Sequence, residues 1–343
     1  MRFQLEVIAR RGTIAESRHH LEAALSDADG RLQAETSDPA TVTTFRSSAK
    51  PFQLLPLVER GHADRYGFTE EQLAVMAASH TGSPHHVALV QGLLTQLGLQ
   101  VSQLVCGYHE PTDPESLARL RAGTERPSSL YNNCSGKHAG LLALCMAEGW
   151  PLEGYHLLEH PLQQLLRRTV AECCGLAPEA LGTAVDGCSL VVFALPLSAM
   201  ARGYARLVDA TTRQDGDVRT RALARIARAM TSHPVTVEGE GRVSTALMQV
   251  TKGRLLAKCG AEGLQLVGGI DSNTNRSFGL AIKCDDGAMR ATGPATIAVL
   301  EHLGMLSGTE LAALAEHHRP KVMNVVGHEV GHLEAVLRVV AHA

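Results

Sequence analysis

The stretch "TFRSSAKPFQ", Thr44 to Gln53, stands where one hydrophobic period gives way to another. Upstream, Phe3, Leu5, Val7 and Ala9 alternate with Gln4, Glu6 and Ile8, the period of two that a strand with one buried face requires. "LEAALSDADGRLQAE" then places two short apolar runs around the turn signal Asp29-Gly30, so an N-terminal antiparallel hairpin is expected. Downstream, from Pro51 to about Met200, the period is mostly helical. In "SPHHVALVQGLLTQLG" Ser83 suits an N-cap and Pro84 the first helical position, Val87, Val90, Leu94 and Leu97 make one face, and Gly98 ends the run. Similar stripes in "HPLQQLLRRTVAECCG" (Leu162, Leu165, Leu166, Thr169, Cys173) and "GKHAGLLALCMAEG" make Cys145 and Cys173 core residues.

After Asp215 comes a further helical stretch, and then strands return in "GRLLAKCG", "GLQLVGGI" and "SFGLAIKCDDG", the last ended by Asp286-Gly287. A capped helix in "TGPATIAVLEHLG" follows. Strands toward both ends with helices between imply an α+β fold with one antiparallel sheet built from the two termini. Residues 1–58 and 201–343 are assigned to a sheet-and-helix lobe and 59–200 to a mainly helical lobe, joined as one integrated unit because no linker, repeat or low-complexity tract separates them.

A chain of 343 residues with 45% hydrophobic and 20% charged residues can bury a full core, and its longest apolar runs fall short of a membrane span. "MRFQLEVIARRG" lacks the apolar block and cleavage site of a secretory signal, so a cytoplasmic, reducing setting is expected. The eight cysteines (106, 134, 145, 173, 174, 188, 259, 284) include no C-x-x-C pair and are read as core residues, ligands or reactive thiols. A net charge of −3 and 3% aromatic residues leave no footprint for nucleic acid. Of the 32 basic residues only six are lysines, at 50, 137, 252, 258, 283 and 321, so each lysine is worth asking about.

Ser47 and Lys50 stand one turn apart if the helix starts near Ser48. A lysine can deprotonate a serine once burial and neighbouring cations bring its pKa from about 10.4 toward ~7–8, which an arginine cannot do. Nineteen serines and six lysines in 343 residues give about a third of an S-x-x-K match by chance. By itself, then, the stretch reads first as a helix start, with Ser47 or Ser48 as the cap and Lys50 as a surface charge. Two other scarce lysines change that weight. "YNNCSGKH", Tyr131 to His138, holds Lys137 at a loop-to-helix junction, and "AKCGAEG" holds Lys258 on a strand. The order S-x-x-K, polar loop, K-x-G is that of serine β-lactamases, penicillin-binding proteins and serine-type glutaminases.

Taken with "ASHTGSPHH" and "DGCSL", these segments in this order along nearly the whole chain resemble the asparaginase II family, the Rhizobium etli thermolabile type of L-asparaginase. The resemblance implies a β-lactamase/glutaminase-like fold, a homodimer, and hydrolysis of L-asparagine to L-aspartate and ammonia. It implies two Ser–Lys tandems, Ser47 with Lys50 and Ser79 with Lys258. Ser47 would be the acylated nucleophile, Lys50 its base, and Ser79 and Lys258 a proton relay that also polarises the site. It implies one zinc ion per chain, structural or substrate-positioning, held by Cys134, Cys188 and Lys137. From the residues alone, His138, four after Cys134, is the more usual zinc partner, and buried free cysteines without metal remain open. Arg46 is a candidate clamp for the substrate carboxylate, Asp186 either orients a ligand or holds the substrate ammonium, and His138 supports the ligands from behind or contacts the substrate. The histidines at 317, 318, 328, 332 and 342 are read as surface residues. Glutamine, peptide or β-lactam amides on the same fold, or a non-catalytic zinc module, are the competing functions.

Overall fold

The computed structural model describes residues 1–36, 38–271 and 274–340. Strands form at β1 (Arg2–Arg11), β2 (Ile14–Ser26), β3 (Leu32–Glu35), β4 (Val42–Thr44), β5 (Gly182–Val185), β6 (Val191–Pro196), β7 (Leu255–Gly260), β8 (Leu264–Ile270), β9 (Ser277–Cys284), β10 (Lys321–Met323) and β11 (Glu329–Val340). The chain divides into two compact units. One comprises Met1–Thr43, Leu195–Asp209 and Ala246–Ala343, the other Thr44–Ala194 and Ala210–Thr245.

The first unit carries an eight-stranded sheet in the order β10-β11-β1-β3-β2-β9-β8-β7, with β1 also pairing β2 directly. Its pairs are antiparallel apart from a single parallel contact, Arg2 with Glu35. The expected sheet from both ends of the chain is therefore present, and β1 meets β11 from Arg2↔Val340 to Arg11↔Gly331. Val7 and Ile8 are both buried although neighbours on a strand point to opposite faces, so both faces are covered at the centre. The helix Leu197–Asp209 packs on β2, β8 and β9. Gly268 and Gly279 pair across β8 and β9, and a Cβ on Gly279 would stand 1.9 Å from the carbonyl oxygen of Ala201. Bare glycines are what let that helix backbone rest on the strands.

A polar cluster joins β2 to the end of β9, with His19 and Cys284 buried and Asp286 and Arg290 exposed. His19 Nδ1 meets Asp286 at 2.6 Å, the Cys284 thiol donates to the same carboxylate at 2.9 Å, and Arg290 Nε donates to His19 Nε2 at 3.0 Å. The hydrogen bond from Cys284 comes first among the causes that hold the Asp286 carboxyl well below its usual range. Among the described residues these three are the one His/Cys/Asp/Glu group with ligand-like spacing. The Arg290 guanidinium already occupies the outer nitrogen of His19, which opposes a cation there.

The second unit is mainly helical, with the hairpin β5–β6 at its side. Residues 44–58 and 210–245, which the sequence assigned to the sheet lobe, belong here, and 195–200 belong to the sheet unit. The physical reason is burial. The helix Lys50–Glu59 is buried at every residue before Glu59 and packs on Ser135–Glu148, Pro161–Cys174 and Val218–Ser232. A helix covered on all sides is the core of its unit, whatever the strands before it do. The helix Pro84–Leu97 has the expected ends: the Ser83 side chain accepts from His86 N–H, and Gly98 is left-handed. In the sheet unit, the "TGPATIAVLEHLG" helix begins earlier than expected, at Met289, and its N-cap Ala288 supplies no side-chain bond. Cys145 and Cys173 are buried as expected. His317, His318 and His332 are half-buried, His328 is exposed, and His342 lies outside the described residues. Among the described residues no helix is long and apolar enough to cross a membrane.

Candidate active site

The Thr44–Gln53 stretch enters its helix through a 3₁₀ turn, Arg46–Ala49, and no side chain caps either that turn or the helix that follows. The cap reading of Ser47 and Ser48 therefore does not hold. Ser47 is half-buried and its carbonyl accepts the Lys50 N–H. Arg46, immediately before it, sits at φ +44°, a left-handed conformation that costs a non-glycine residue about 1–3 kcal/mol.

Lys50 is fully buried at the head of the core helix. Its amine donates to the Ala78 carbonyl, contacts Ser79 Oγ at 3.0 Å, and donates to the Asn133 carbonyl at 3.2 Å. Two separate segments, Ala78-Ser79 and the one holding Asn133, thus converge on one nitrogen. The sequence led to Ser47–Lys50 and Ser79–Lys258; the contact seen here, Lys50 with Ser79, runs across those pairs. Lys258 lies buried on β7 in the sheet unit, where its amine donates to the Cys259 carbonyl at 3.0 Å.

Ser79 is held by its backbone, whose N–H donates to the Val237 carbonyl at 2.8 Å. The next residue, His80, escaped the sequence reading, although it sits in the "ASHTG" segment. Its Nδ1 accepts the Gly82 N–H at 3.1 Å, which leaves Nε2 to donate to Ser135 Oγ at 2.9 Å, and Ser135 donates on to the Leu130 carbonyl at 3.0 Å. Burial, reinforced by His86 and Lys50, pushes this imidazole well below its ordinary value, so it stays neutral and keeps that tautomer. His80 thereby ties the Ser79 segment to the first turn of Ser135–Glu148. Gly136 draws the same two segments together, for a Cβ there would lie 2.3 Å from the Val75 carbonyl oxygen.

That first turn carries two of the expected metal ligands, Cys134 and Lys137, and the third, Cys188, lies in the turn between β5 and β6. Asn132 accepts the Cys134 N–H at 2.9 Å, and its amide donates to the carbonyls of Cys106 and Gly107 at 2.8 and 3.1 Å, so the turn is fixed before the helix starts. Lys137 Nζ lies 3.2 Å from Cys188 Sγ, and Cys134, Lys137 and Cys188 are all buried. The hydrogen bond that the Cys188 thiol gives to Cys134 lowers the Cys134 thiol against its own burial, and Lys137 adds to that; the same bond pushes Cys188 up. Burial alone would lower the Lys137 amine, but the charges of Cys134, Cys188 and Asp186 outweigh it and raise the amine above its ordinary value. Two soft sulfurs and an amine form a donor set that fits zinc, provided the metal displaces the proton that the neighbouring charges hold on Lys137.

His138, the ligand that helical spacing alone favoured over Lys137, meets the Tyr155 hydroxyl through Nδ1 at 2.6 Å, and its buried Nε2 has no hydrogen-bond partner among the described residues. Arg46 and Asp186, expected to clamp opposite ends of an amino acid, face each other. Arg46 Nε stands 3.0 Å from Asp186 Oδ1, an ion pair without the angle of a hydrogen bond, and Asp186 also accepts the Gly187 N–H at 2.8 Å. The turn that follows places Ser189 at φ +70°, a second strained residue beside Cys188.

Among solved structures, Mglu in its native form matches at 16% identity and a TM-score of 0.44, covering 85% of this chain and 67% of its own. A probable glutaminase from Bacillus subtilis complexed with 6-diazo-5-oxo-L-norleucine matches at 12% identity and a TM-score of 0.37, covering 82% and 84%. A Bacillus glutaminase in the presence of 4.3 M NaCl matches at 12% identity and a TM-score of 0.39, covering 83% and 91%. No curated protein matches the chain in sequence. The model of one family, L-asparaginase II, matches residues 7–335, which span the Lys50 cluster, the paired thiols and both ends of the sheet, and the chain belongs to that family.

Proposed function

We propose that this chain is an L-asparaginase, hydrolysing the side-chain amide of L-asparagine to L-aspartate and ammonia through a serine assisted by lysine. The observation that supports it most is the setting of Lys50. Two carbonyls, which can only accept, each take an N–H of this amine. Beside them lies a hydroxyl, which can also donate. A neutral amine in that setting can turn its lone pair toward the serine proton, as general-base catalysis requires.

The serine oxygen attacks the amide carbon while its proton passes to Lys50. That proton is returned to the leaving nitrogen as the C–N bond breaks and ammonia departs. Water then attacks the ester, regenerating the serine and releasing aspartate. Ser47, three residues before Lys50, is the proposed nucleophile, with Ser79 relaying the proton. A second reading, favoured by the 3.0 Å Lys50–Ser79 contact, makes Ser79 the attacking residue. Cys134, Cys188 and Lys137 would hold zinc, which would supply a fixed positive charge to anchor or polarise a substrate oxygen. The homodimer and cytoplasmic setting belong to the same proposal.

Ammonia release from L-asparagine and L-glutamine by the wild type, Ser47→Ala and Ser79→Ala tests this. Wild type should act on asparagine, and the nucleophile variant should lose on the order of 10³-fold or more. Peptide mapping after labelling with a diazoketone analogue of asparagine then tells the serines apart: label on Ser79 replaces the first assignment with the second. No ammonia from either amide with the wild type would overturn the hydrolase reading.

A further inference from the structure

Lys137 is buried yet makes a single hydrogen bond among the described residues, to Cys188, although an amine carries two or three N–H donors. On the wall of a small cavity that Lys137 also lines lies the opposite deficit. Gln53, one turn beyond Lys50 on the core helix, is buried, and its Oε1 has no partner. Gln53 and Lys137 line this cavity together with Leu54, Leu57, Met76 and Leu141 and the glycine at 140, so they are its two polar side chains. Its volume is about 10 Å³, close to the space one water needs. A buried acceptor left without a donor costs about 1–3 kcal/mol, and such groups in native proteins are usually satisfied by water.

We propose that one buried water bridges Gln53 Oε1 to Lys137 Nζ, and that Gln53 is thereby a positioning residue that aims the Lys137 amine at Cys188. The same helix then orients both functional lysines, Lys50 through its backbone and Lys137 through Gln53. This rests on the proposed zinc site only for its metal consequence: a ligand whose outer hydrogen bond is lost typically binds its metal 10–100-fold more weakly. The link between the two side chains needs no metal.

The test is a double-mutant cycle in the full chain with Gln53→Leu and Lys137→Met, both close in volume to the residues replaced, read first as melting temperature in chelator. If Gln53 holds Lys137, Gln53→Leu lowers the melting temperature in the wild-type background and loses that effect when Lys137 is already methionine. If the Gln53 oxygen is merely an unpaired buried acceptor, Gln53→Leu raises the melting temperature equally in both backgrounds, and the proposal falls; no change in either background overturns it too. Zinc affinity by chelator competition is the second readout, with a 10–100-fold loss expected in Gln53→Leu. A wild type that binds no zinc would refute the metal site while leaving the melting cycle to decide on Gln53, and unchanged zinc affinity beside a clear coupling would remove the metal consequence.

Discussion

Gly136→Ala is the substitution whose outcome the packing dictates most directly. The residue lies in the first turns of Ser135–Glu148, where alanine is preferred to glycine by roughly 1 kcal/mol. Against that gain, the new methyl would stand 2.3 Å from the carbonyl oxygen of Val75 and 2.9 Å from its carbon. Both are backbone atoms of the helix Glu70–Met76, so relief requires that helix and Ser135–Glu148 to separate. Overpacking of this kind costs about 1–3 kcal/mol, and a backbone obstacle puts the cost toward the upper end. The net expectation is a loss of roughly 1–2 kcal/mol, which at ~2–4 °C per kcal/mol lowers the melting temperature by about 2–8 °C. Gly92, in the exposed face of Pro84–Leu97, has no atom within 4 Å of its added methyl. Gly92→Ala should therefore stabilise by about 1 kcal/mol, the same chemical change with the opposite sign. Thermal melts of the two variants beside wild type decide it. Gly136→Ala melting at or above the wild-type temperature would refute the claim that this glycine sets the approach of the two helices.

Stability should fall on acidification because burial depresses both His80 and His86. The unfolded chain takes up their protons near pH 6.5 and the folded chain does not, so above that pH they contribute no slope. Below it, each removes up to about 1.4 kcal/mol per pH unit until its folded value is reached. Urea midpoints between pH 7.5 and 5.5 should show this slope, shallower in His80→Asn; equal slopes would show that His80 titrates alike in both states. Zinc analysis of Cys134→Ser beside wild type should show loss of the metal, whereas equal content would remove Cys134 from the ligand set.

What the sequence made legible follows from which interactions are local. Helix caps and stripes, such as Ser83 to Gly98, involve residues a turn apart and were readable. Scarcity flagged Lys50, Lys137 and Lys258, and two of these reach a serine and a thiol in the helical unit. The crossing of Lys50 to Ser79 was not readable, because it depends on where the chain returns after Met76. Nor was the Arg46–Asp186 pair, whose members are far apart in sequence. Spacing did not show that His138 meets Tyr155, because it counts turns of one helix and says nothing about residues beyond it. The strands β10 and β11 were missed for a different reason: β11 is half-exposed along much of its length, so its alternation is too weak to separate two faces. The lobe boundaries erred where a strand-like segment passes into a helix that another unit buries, a choice made by tertiary packing.

The pairing of β1 with β11 bears on how the chain is made. Arg2 and Val340 are register partners although more than 300 residues separate them. On a ribosome adding about 5–20 residues per second, β1 waits on the order of 15–70 s for that neighbour to appear. Meanwhile one of its edges offers unpaired amides and carbonyls beside apolar Phe3, Leu5 and Val7, a template for association with other nascent chains. The yield of soluble protein should accordingly depend on translation speed and on chaperone supply more than the melting temperature of the finished molecule would suggest.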